Sequence, residues 1–369
     1  MTPQAMLVAH EWVAPTGGSE QVFEELLATF PEADALCLWN DAPTRIGRPV
    51  AESRLAKTAL RRNKALALPF MPWAWSEVEL SSYEVVLTSS HAFSHQLAAR
   101  AAREGRRAYS YVHTPARYVW APEVEQRGRG LMARLGSVPL RRSDRRATDE
   151  RVQYLANSKY IAGRIERSWG VSAAVVYPPV DVTLLQSVGS WSDRVRGPET
   201  RVLEQLPQHF VLGASRLVDY KRLDMAIRVG QQLDLPVVIA GDGPHRPHLE
   251  SLATAADVPV HFVGRVSDEL LYALYQRAAL FAFMPVEDFG IMPVEAMALG
   301  TPVVVNAEGG AAESVSVLRG GFAAEPDDEV ALLSAARRAI DVDMTYAREG
   351  AGRFSTERFR EEIASWVQR

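Results

Sequence analysis

Two acids and two bases that follow strand-like runs are the residues best suited to chemistry. Glu287 and Glu295 lie eight positions apart, across a strand end, a glycine turn and a helix start. Arg216 and Lys221 stand between an earlier strand-like run and a helix, a position suited to neutralising a diphosphate. Taken alone, each pair is also typical of acids that complement a helix dipole or of solvated loop bases. The chemistry therefore depends on whether one sheet edge brings the four together.

Backbone groups between the two acids predict an anion site. Pro293 suits the first turn of a helix. The N–H groups of Phe289, Gly290 and Ile291 are then expected at the N-terminus of that helix. Such a position stabilises a phosphate without a basic side chain.

Two further loops follow strand-like runs in the same half of the chain. Gly241 and Gly243 permit a tight turn and the close approach of a flat or bulky ligand. They are not a dinucleotide fingerprint, because Arg246 stands where the third glycine is required. The other loop holds Arg265 and Val266, followed by a serine suited to cap the next helix.

The elements that must position these residues alternate along the whole chain. Short β-branched or aromatic runs, among them 5–9, 107–112, 153–156 and 280–283, are separated by segments of helical period, and Ser19 is expected to cap the first helix. This alternation predicts an α/β protein with two Rossmann-like domains, each with a doubly wound parallel sheet. Such sheets bind ligands at the carboxyl ends of their strands, so the two domains are expected to face a cleft. We predict an N-terminal domain over 1–185, a linker over 186–207 and a C-terminal domain over 208–354. A final helix over about 355–369 is expected, with packing on the N-terminal domain as one option.

Composition excludes several classes of protein. The 369 residues suffice for two domains with cores of their own, and the single Cys37 excludes an internal disulfide. The sequence does not open on a signal-peptide pattern, and no run of 18 residues is uniformly apolar. A cytoplasmic protein without a nucleic-acid partner is expected. Residues 1–183 carry 23 Lys and Arg against 19 Asp and Glu, and residues 184–369 carry 18 against 26, so the net charges are +4 and −8.

Together the motifs resemble the retaining GT-B glycosyltransferases of family 4. The resemblance rests on Arg216 and Lys221 and on the runs AGDGP, GRVSDELL and EDFGIMPVEAMALGTPVV, and it covers nearly the whole chain. It implies that the two bases bind the donor diphosphate, that Glu287 holds hydroxyls of the transferred sugar and that Glu295 holds the ribose. The loop at Arg265 would face the base.

Two motifs of the first half extend the resemblance. The run HEWVAPTGGSE, with Gly17 and Gly18, looks like the family's glycine-rich loop over the donor phosphate. The run YVHTPARYVW resembles one in bacterial α-mannosyltransferases that use GDP-mannose, and it implies that His113 is catalytic, beside the sugar and the β-phosphate. Four residues are candidates for binding the acceptor: His10, Trp12, Arg117 and Tyr118. A buried core histidine is the alternative for His10.

The implied reaction transfers a hexose, most consistently mannose, with retention of its configuration. By resemblance the acceptor attacks on the face from which the diphosphate leaves, and the protein positions and stabilises charge. No metal or other cofactor is expected, because the D-x-D run Asp341–Asp343 lies at a predicted helix end away from the strand edge. Alternatives are a UDP-sugar donor, a nucleotide-sugar 2-epimerase and a non-catalytic nucleotide-sugar binding protein.

Basic residues beside aromatic ones make a membrane a candidate partner. Residues 45–64 carry seven basic residues against one acid and lead into LALPFMPWAW, and residues 125–151 carry eight Arg against four acids. This pattern suits peripheral docking on anionic lipid at the inner face of a membrane. Burial of Phe70, Trp73 and Trp75 in the core or in an acceptor pocket is the alternative. The acceptor is expected to be a saccharide, a lipid-linked saccharide or a small molecule.

Overall fold

The structure, a computed structural model, describes residues 5–120 and 131–368, with the backbone alone for 131–138. The chain divides into two units, Met1–Pro179 with Glu357–Arg369, and Val180–Thr356. No helix in the described part of the chain has both the length and the apolar character needed to span a bilayer.

A parallel sheet organises the first unit. Its described strands are β1 (Met6–Val13), β2 (Asp34–Asn40), β3 (Ala51–Glu52), β4 (Val85–Ser90), β5 (Arg107–Val112), β6 (Gln153–Ala156) and β7 (Ala174–Val175). They lie in the order β3-β2-β1-β4-β5-β6-β7, so the winding reverses between β1 and β4. The helices are α1 (Gly18–Thr29), α2 (Lys64–Ala67), α3 (Met71–Ser76), α4 (His95–Arg103), α5 (Arg117–Trp120), α6 (Leu131–Arg146) and α7 (Lys159–Trp169).

The pleat of β1 explains how this sheet is buried on both faces. Leu7 and Ala9 join one apolar cluster, whereas Val8 joins another, because successive side chains of a strand point to opposite faces. The sequence predicts that β1 ends at Ala9, but the strand continues to Val13. The turn that follows leads into α1 at Gly18, and the expected cap by Ser19 is wrong because Gly17 stands at the cap position.

The second unit repeats the arrangement. Its described strands are β8 (Val211–Ala214), β9 (Val237–Ala240), β10 (Val260–Gly264), β11 (Leu280–Phe283), β12 (Val303–Asn306) and β13 (Gly321–Ala324). Their order is β10-β9-β8-β11-β12-β13, all parallel, so the winding reverses between β8 and β11. The helices are α8 (Val182–Ser187), α9 (Pro198–Gln205), α10 (Asp224–Leu233), α11 (Arg246–Thr254), α12 (Asp268–Arg277), α13 (Ile291–Ala298), α14 (Gly310–Leu318), α15 (Glu329–Ile340) and α16 (Thr345–Gly350). The predicted α/β class with two doubly wound sheets is confirmed.

Residues 186–207, for which the sequence predicts a linker, fold within the second unit. Trp191 is 5% exposed, and its ring lies 4.8 Å from that of Tyr272 in α12, measured between centroids. Its indole N–H donates to the carbonyl of Leu185 at 3.0 Å. The ring contact attaches the stretch to α12 and the hydrogen bond attaches it to α8. Hydrophobic periodicity did not predict these contacts, because they depend on a single apolar residue.

The last helix, α17 (Thr356–Gln368), packs on the first unit. Its residues from Glu357 onward belong to that unit. Phe359, Ile363 and Val367 are buried in the cluster that also contains Tyr109. The hydroxyl of Tyr109 donates to the carbonyl of Val367 at 3.0 Å. Helix α17 therefore covers one face of the first sheet.

Candidate functional site

The second sheet places Lys221 and Glu287 at its reversal of winding. Lys221 ends a short 3-10 helix after β8, and Glu287 follows β11, the strand beside β8. The Lys221 ammonium donates to Oε1 of Glu287, and the two side chains are 17% and 19% exposed. Ligands of open parallel sheets bind outside the carboxyl ends of the strands at such a reversal. Two residues chosen from the sequence thus meet at the position where this fold binds ligands.

Arg216 lies in the same loop as Lys221 but has a different environment. Its guanidinium is exposed and donates to the hydroxyl of Tyr220 at 2.6 Å. The backbone of this loop packs directly against the AGDGP turn. A Cβ at Gly241 would lie 1.8 Å from the carbonyl oxygen of Ser215, and one at Gly243 would lie 2.3 Å from that of Leu217. The close approach that the sequence predicts is therefore made by the chain's own backbone, which rests on both glycines.

The loop after β10 is anchored by a residue that the sequence did not indicate. Arg265 is exposed and Val266 is partly buried. Ser267 caps α12, as predicted, by accepting the N–H of Leu270 at 3.2 Å. The carboxylate of Glu199, in α9, accepts the backbone N–H of Ser267 at 2.8 Å and its hydroxyl at 2.5 Å. Glu199 escaped notice because it falls in the stretch predicted to be a linker.

The N-terminus of α13 supplies the backbone groups predicted to receive an anion. Gly290 stands at the cap position with φ 92°, and no side chain caps the helix. Phe289 is 4% exposed and Ile291 begins the helix. The dipole and the N–H groups of this first turn favour negative charge.

A second glycine pair presses on the Glu287 loop. The N–H of Gly310, at the start of α14, donates to the carbonyl of Glu287 at 2.7 Å. A Cβ at Gly310 would lie 2.2 Å from the carbonyl oxygen of Asp288, and one at Gly309 would lie 2.7 Å from that of Glu287. The run EGGAAE after β12 is the signal that sequence reasoning missed.

Glu295 lies in α13 in a partly buried setting. The hydroxyl of Tyr275 lies 3.4 Å from its Oε2. Burial raises the pKa of Glu295 to about 7, and the nearby charge of Asp268 acts in the same direction. The carboxyl group is thus poised to change its charge near neutral pH.

Three histidines meet towards the carboxyl end of the first sheet. His10 lies in β1, His91 directly follows β4 and His113 directly follows β5, and their ring centroids are between 5.1 and 6.3 Å apart. The hydroxyl oxygen of Ser89 lies 3.0 Å from Nδ1 of His10 and 2.8 Å from Nε2 of His113. Burial lowers the pKa of His10 and His91 to about 3, and that of His113 well below its usual range. All three rings are therefore neutral at neutral pH.

Glu11 forms part of the same cluster. Among the described residues, ligand atoms of His10, Glu11 and His91 lie within 4.8 Å of one another, a spacing that could hold a metal ion. The Glu11 carboxylate accepts backbone N–H groups of Ala92 at 2.9 Å and Ser94 at 2.8 Å. Its contacts thus fix the turn after β4. The expectation that no metal is needed stays a prediction.

The glycine loop after β1 encloses a carboxylate. Gly17 and Gly18 are exposed, whereas Glu20 is 3% exposed and accepts the N–H of Ala14 at 3.2 Å. A Cβ at Gly17 would lie 2.1 Å from Oε2 of Glu20. Arg45 donates to the carbonyls of Ala14 at 2.9 Å and Gly17 at 3.3 Å. Arg45 is a further residue that sequence reasoning missed, because it stands far from the loop along the chain.

The acceptor candidates differ in exposure. His10 is fully buried and Trp12 is 5% exposed, with its ring stacked on Trp39 at 5.4 Å between centroids. Because β1 continues past Ala9, both side chains point from the strand into the interior, which favours the core interpretation for His10. Arg117 and Tyr118 lie in α5 and are partly buried.

A buried carboxylate holds α5 in place. Asp144 accepts the indole N–H groups of Trp120 and Trp169, each at 2.8 Å, and lies 3.2 Å from Nε2 of His95. Although burial alone would raise the pKa of Asp144, His95 and the two indoles keep it below the usual range. The end of the YVHTPARYVW run is thereby tied to α6 and α7.

Two sequence features remain. Asp343, of the D-x-D run, accepts the N–H of Thr345 at 2.9 Å and its hydroxyl at 2.7 Å, at the start of α16. Of the basic run 125–151, residues 125–130 lie outside the described residues, as do the side chains of 131–138.

Comparison with known proteins identifies the family. Residues 16–184 match the family described as Glycosyltransferase Family 4, and residues 200–350 match Glycosyl transferases group 1. The chain belongs to the GT-B glycosyltransferases. This glycosyltransferase is 19% identical to HepE of Anabaena, solved in complex with UDP, with a TM-score of 0.71 over 99% of both chains. That likeness supports the fold.

Sequence relatives include two mannosyltransferases. The GDP-mannose-dependent α-(1-6)-phosphatidylinositol monomannoside mannosyltransferase of Mycolicibacterium smegmatis is 32% identical over 193 residues, which are 48% of this chain and 50% of the relative. The protein of the same name from Mycobacterium tuberculosis is 30% identical over 219 residues, 53% of this chain and 54% of the relative. The matches span about half the length of these curated relatives.

Proposed function

We propose that this glycosyltransferase moves mannose from GDP-mannose to a saccharide or lipid-linked acceptor with retention of configuration. The observation that carries the proposal is the Lys221–Glu287 pair at the reversal of winding in the second sheet. An ammonium suits the phosphate of a leaving nucleotide and a carboxylate suits sugar hydroxyls, and here the two are held together. The names of the sequence relatives support GDP-mannose over other donors.

The roles that we assign follow from charge and position. Arg216, Lys221 and the first turn of α13 stabilise the negative charge that develops on the leaving diphosphate. Glu287 orients the sugar through its hydroxyls, and Glu295 accepts the ribose hydroxyls once it is ionised. The ring of His113 is neutral, so we assign to it the role of a hydrogen-bonding group rather than that of a cation. The acceptor then attacks on the face that the diphosphate leaves.

A screen of donors by nucleotide release tests the proposal. GDP-mannose is expected to release nucleotide in the presence of acceptor faster than UDP-glucose or other UDP-sugars, and the product is expected to keep the α configuration by NMR. A preference for UDP-sugars would favour the alternative donor class, for which the fold shared with HepE is the supporting observation. Conversion of the donor to its epimer without acceptor would favour the epimerase.

A chelator tests the proposed independence from metal. Transfer is expected to be unchanged after dialysis against EDTA. A different result would assign a metal to His10, Glu11 and His91: EDTA lowers transfer, added Zn²⁺ or Mn²⁺ restores it, and His91→Gln prevents this recovery.

A further inference from the structure

The helical stretch Lys64–Ser76 of the first unit carries apolar side chains on two faces. Ala67, Met71, Ala74 and Trp75 are buried, each at most 2% exposed. Leu66, Phe70 and Trp73 repeat the same spacing one position away and are 61%, 47% and 46% exposed. The first face is explained by the core, whereas the second places large apolar groups in water.

This exposure is concentrated. Six large apolar side chains are exposed among the described residues, and three of them are Leu66, Phe70 and Trp73. The others lie in the second unit, far apart along the chain: Leu184, Val330 and Tyr346. Single exposed apolar residues need no explanation, whereas a contiguous group indicates an interaction surface. We call Leu66, Phe70 and Trp73 the apolar ridge.

The segment that carries the apolar ridge contains charges of one sign. Ser53–Ser76 contains five Lys and Arg and no Asp or Glu. Two of the five are paired with acids outside the segment, Arg54 with Glu77 at 3.2 Å and Arg61 with Asp41 at 2.7 Å. Lys57, Arg62 and Lys64 are exposed and precede the ridge. The ammonium of Lys64 lies 4.3 Å from the centroid of the Trp12 ring.

We infer that the apolar ridge inserts into the interface of a bilayer that contains anionic lipid, with Lys57 and Arg62 on the headgroups. Trp and Phe beside Lys and Arg suit this environment, because the rings enter the acyl boundary and the cations meet negative headgroups. A second copy of the chain fits less well, since it would bring the same cations face to face. The inference rests on the proposed function in one respect, that a lipid-linked acceptor would be reached from such a surface.

Vesicle co-sedimentation tests the inference. Wild-type protein is expected to bind phosphatidylcholine vesicles containing phosphatidylglycerol, to bind pure phosphatidylcholine weakly, and to lose binding as salt rises. The variant Leu66→Ser/Phe70→Ser/Trp73→Ser is expected to partition at least about tenfold less. The matched control Val330→Ser/Tyr346→Ser removes exposed apolar groups, at 80% and 42% exposure, from the second unit and is expected to bind like the wild type.

The contributions of charge and of folding are separated by two further measurements. Lys57→Ser/Arg62→Ser is expected to weaken binding to anionic vesicles and to flatten its salt dependence. Thermal unfolding of each variant is expected to match the wild type, because the altered side chains face water. The inference is overturned if the wild type does not bind anionic vesicles or if the ridge variant binds them as well as the wild type. It is also overturned if gel filtration shows that the wild type forms dimers that the ridge variant does not form.

Donor binding keeps this inference distinct from the proposed function. Calorimetry is expected to show that the ridge variant binds GDP-mannose like the wild type. Failure of the wild type to bind GDP-mannose while it still binds vesicles would refute the proposed donor and leave the docking surface intact. Normal binding of GDP-mannose without binding to vesicles would refute the docking surface and leave the proposed donor intact.

Discussion

Lys221 and Glu287, which are 66 positions apart in the chain, form an ion pair across the loops that follow β8 and β11. The pair joins the strand-end loops on either side of the reversal of winding in the second sheet. The base expected to meet phosphate therefore also orients the acid expected to meet the sugar. A substitution of either residue disturbs both tasks.

The first prediction concerns this coupling. Glu287→Gln and Lys221→Met are each expected to lower kcat/KM about 10²- to 10³-fold, because each removes charge stabilisation or its orienting partner. The double variant is expected to lose less than the product of the two, since contacting residues are not additive. Steady-state kinetics with GDP-mannose measures all three. Arg246→Gln, which breaks an exposed ion pair with Glu250 in the same unit, is the control. Unchanged turnover in both single variants would refute the site.

The second prediction concerns Ser89, which bridges His10 and His113. Removing its hydroxyl leaves two buried ring nitrogens without that partner, at a cost of about 1–3 kcal/mol. Ser89→Ala is expected to lower kcat about tenfold with a smaller change in the KM for donor, because the His113 ring loses its orientation.

The control for Ser89 is another buried serine. Ser314→Ala removes a hydroxyl that donates to the carbonyl of Ala311 at 2.9 Å in the second unit, and it is expected to leave kcat unchanged. If His113→Ala abolished transfer while Ser89→Ala left it intact, the bridge would have no role in positioning.

The third prediction is a pH dependence set by Glu295. Its pKa rises from 4.5 to about 7 on folding, so the folded state binds more protons than the unfolded chain between these values. Stability contributed by the protonated carboxyl is fully present below about 4.5 and is lost as the pH rises through about 7. Glu295→Gln is therefore expected to match the wild type at low pH and to exceed its unfolding free energy by about 1–3 kcal/mol at pH 8.

Donor binding is expected to show the opposite preference. Because ribose hydroxyls donate to the ionised form, wild-type affinity for GDP-mannose rises as the pH increases through about 7. Glu295→Gln is expected to bind weakly at every pH. Urea unfolding and calorimetry measure the two effects, with Glu250→Gln on the surface of α11 as the control. A pH-independent affinity in the wild type would contradict the assignment.

The fourth prediction concerns Gly310. A methyl group there would collide with the backbone of Asp288 and Phe289, which cannot yield as a flexible side chain does. Gly310→Ala is expected to displace the Glu287 loop and to lower kcat/KM at least about tenfold, with a stability cost of about 1–3 kcal/mol. Gly352→Ala is the matched control, because a Cβ at Gly352 meets nothing within 4 Å. Full activity of Gly310→Ala would show that the loop tolerates the shift.

Local patterns were sufficient for much of this account. Hydrophobic periodicity depends on near neighbours, so β5, β6 and β11 were predicted with the bounds that the structure has. The same alternation predicted parallel sheets, and parallel sheets place strand ends at one edge. For that reason the sequence alone predicts that Arg216, Lys221 and Glu287 lie at one edge of a sheet.

The predictions failed where distant residues decide local structure. His10 and Trp12 seemed to lie in a loop, but pairing of β1 with β2 and β4 extends the strand through them and buries both. Residues 186–207 seemed to be a linker, but Trp191 and Glu199 attach them to α12 and the loop before it. In each case the deciding partner is far away in sequence.

The amino-acid sequence by itself determined the two doubly wound sheets. It also determined which charged residues stand in the segments after their strands: Arg216, Lys221, Glu287 and Glu295. Tertiary structure alone decided which partners those groups meet. The ion pair of Lys221, the bridge at Ser89 and the contact of Gly310 with the Glu287 loop each join residues more than 20 positions apart. Periodicity is a property of neighbours, whereas charge, burial and orientation at a site are set by whatever the fold packs against it.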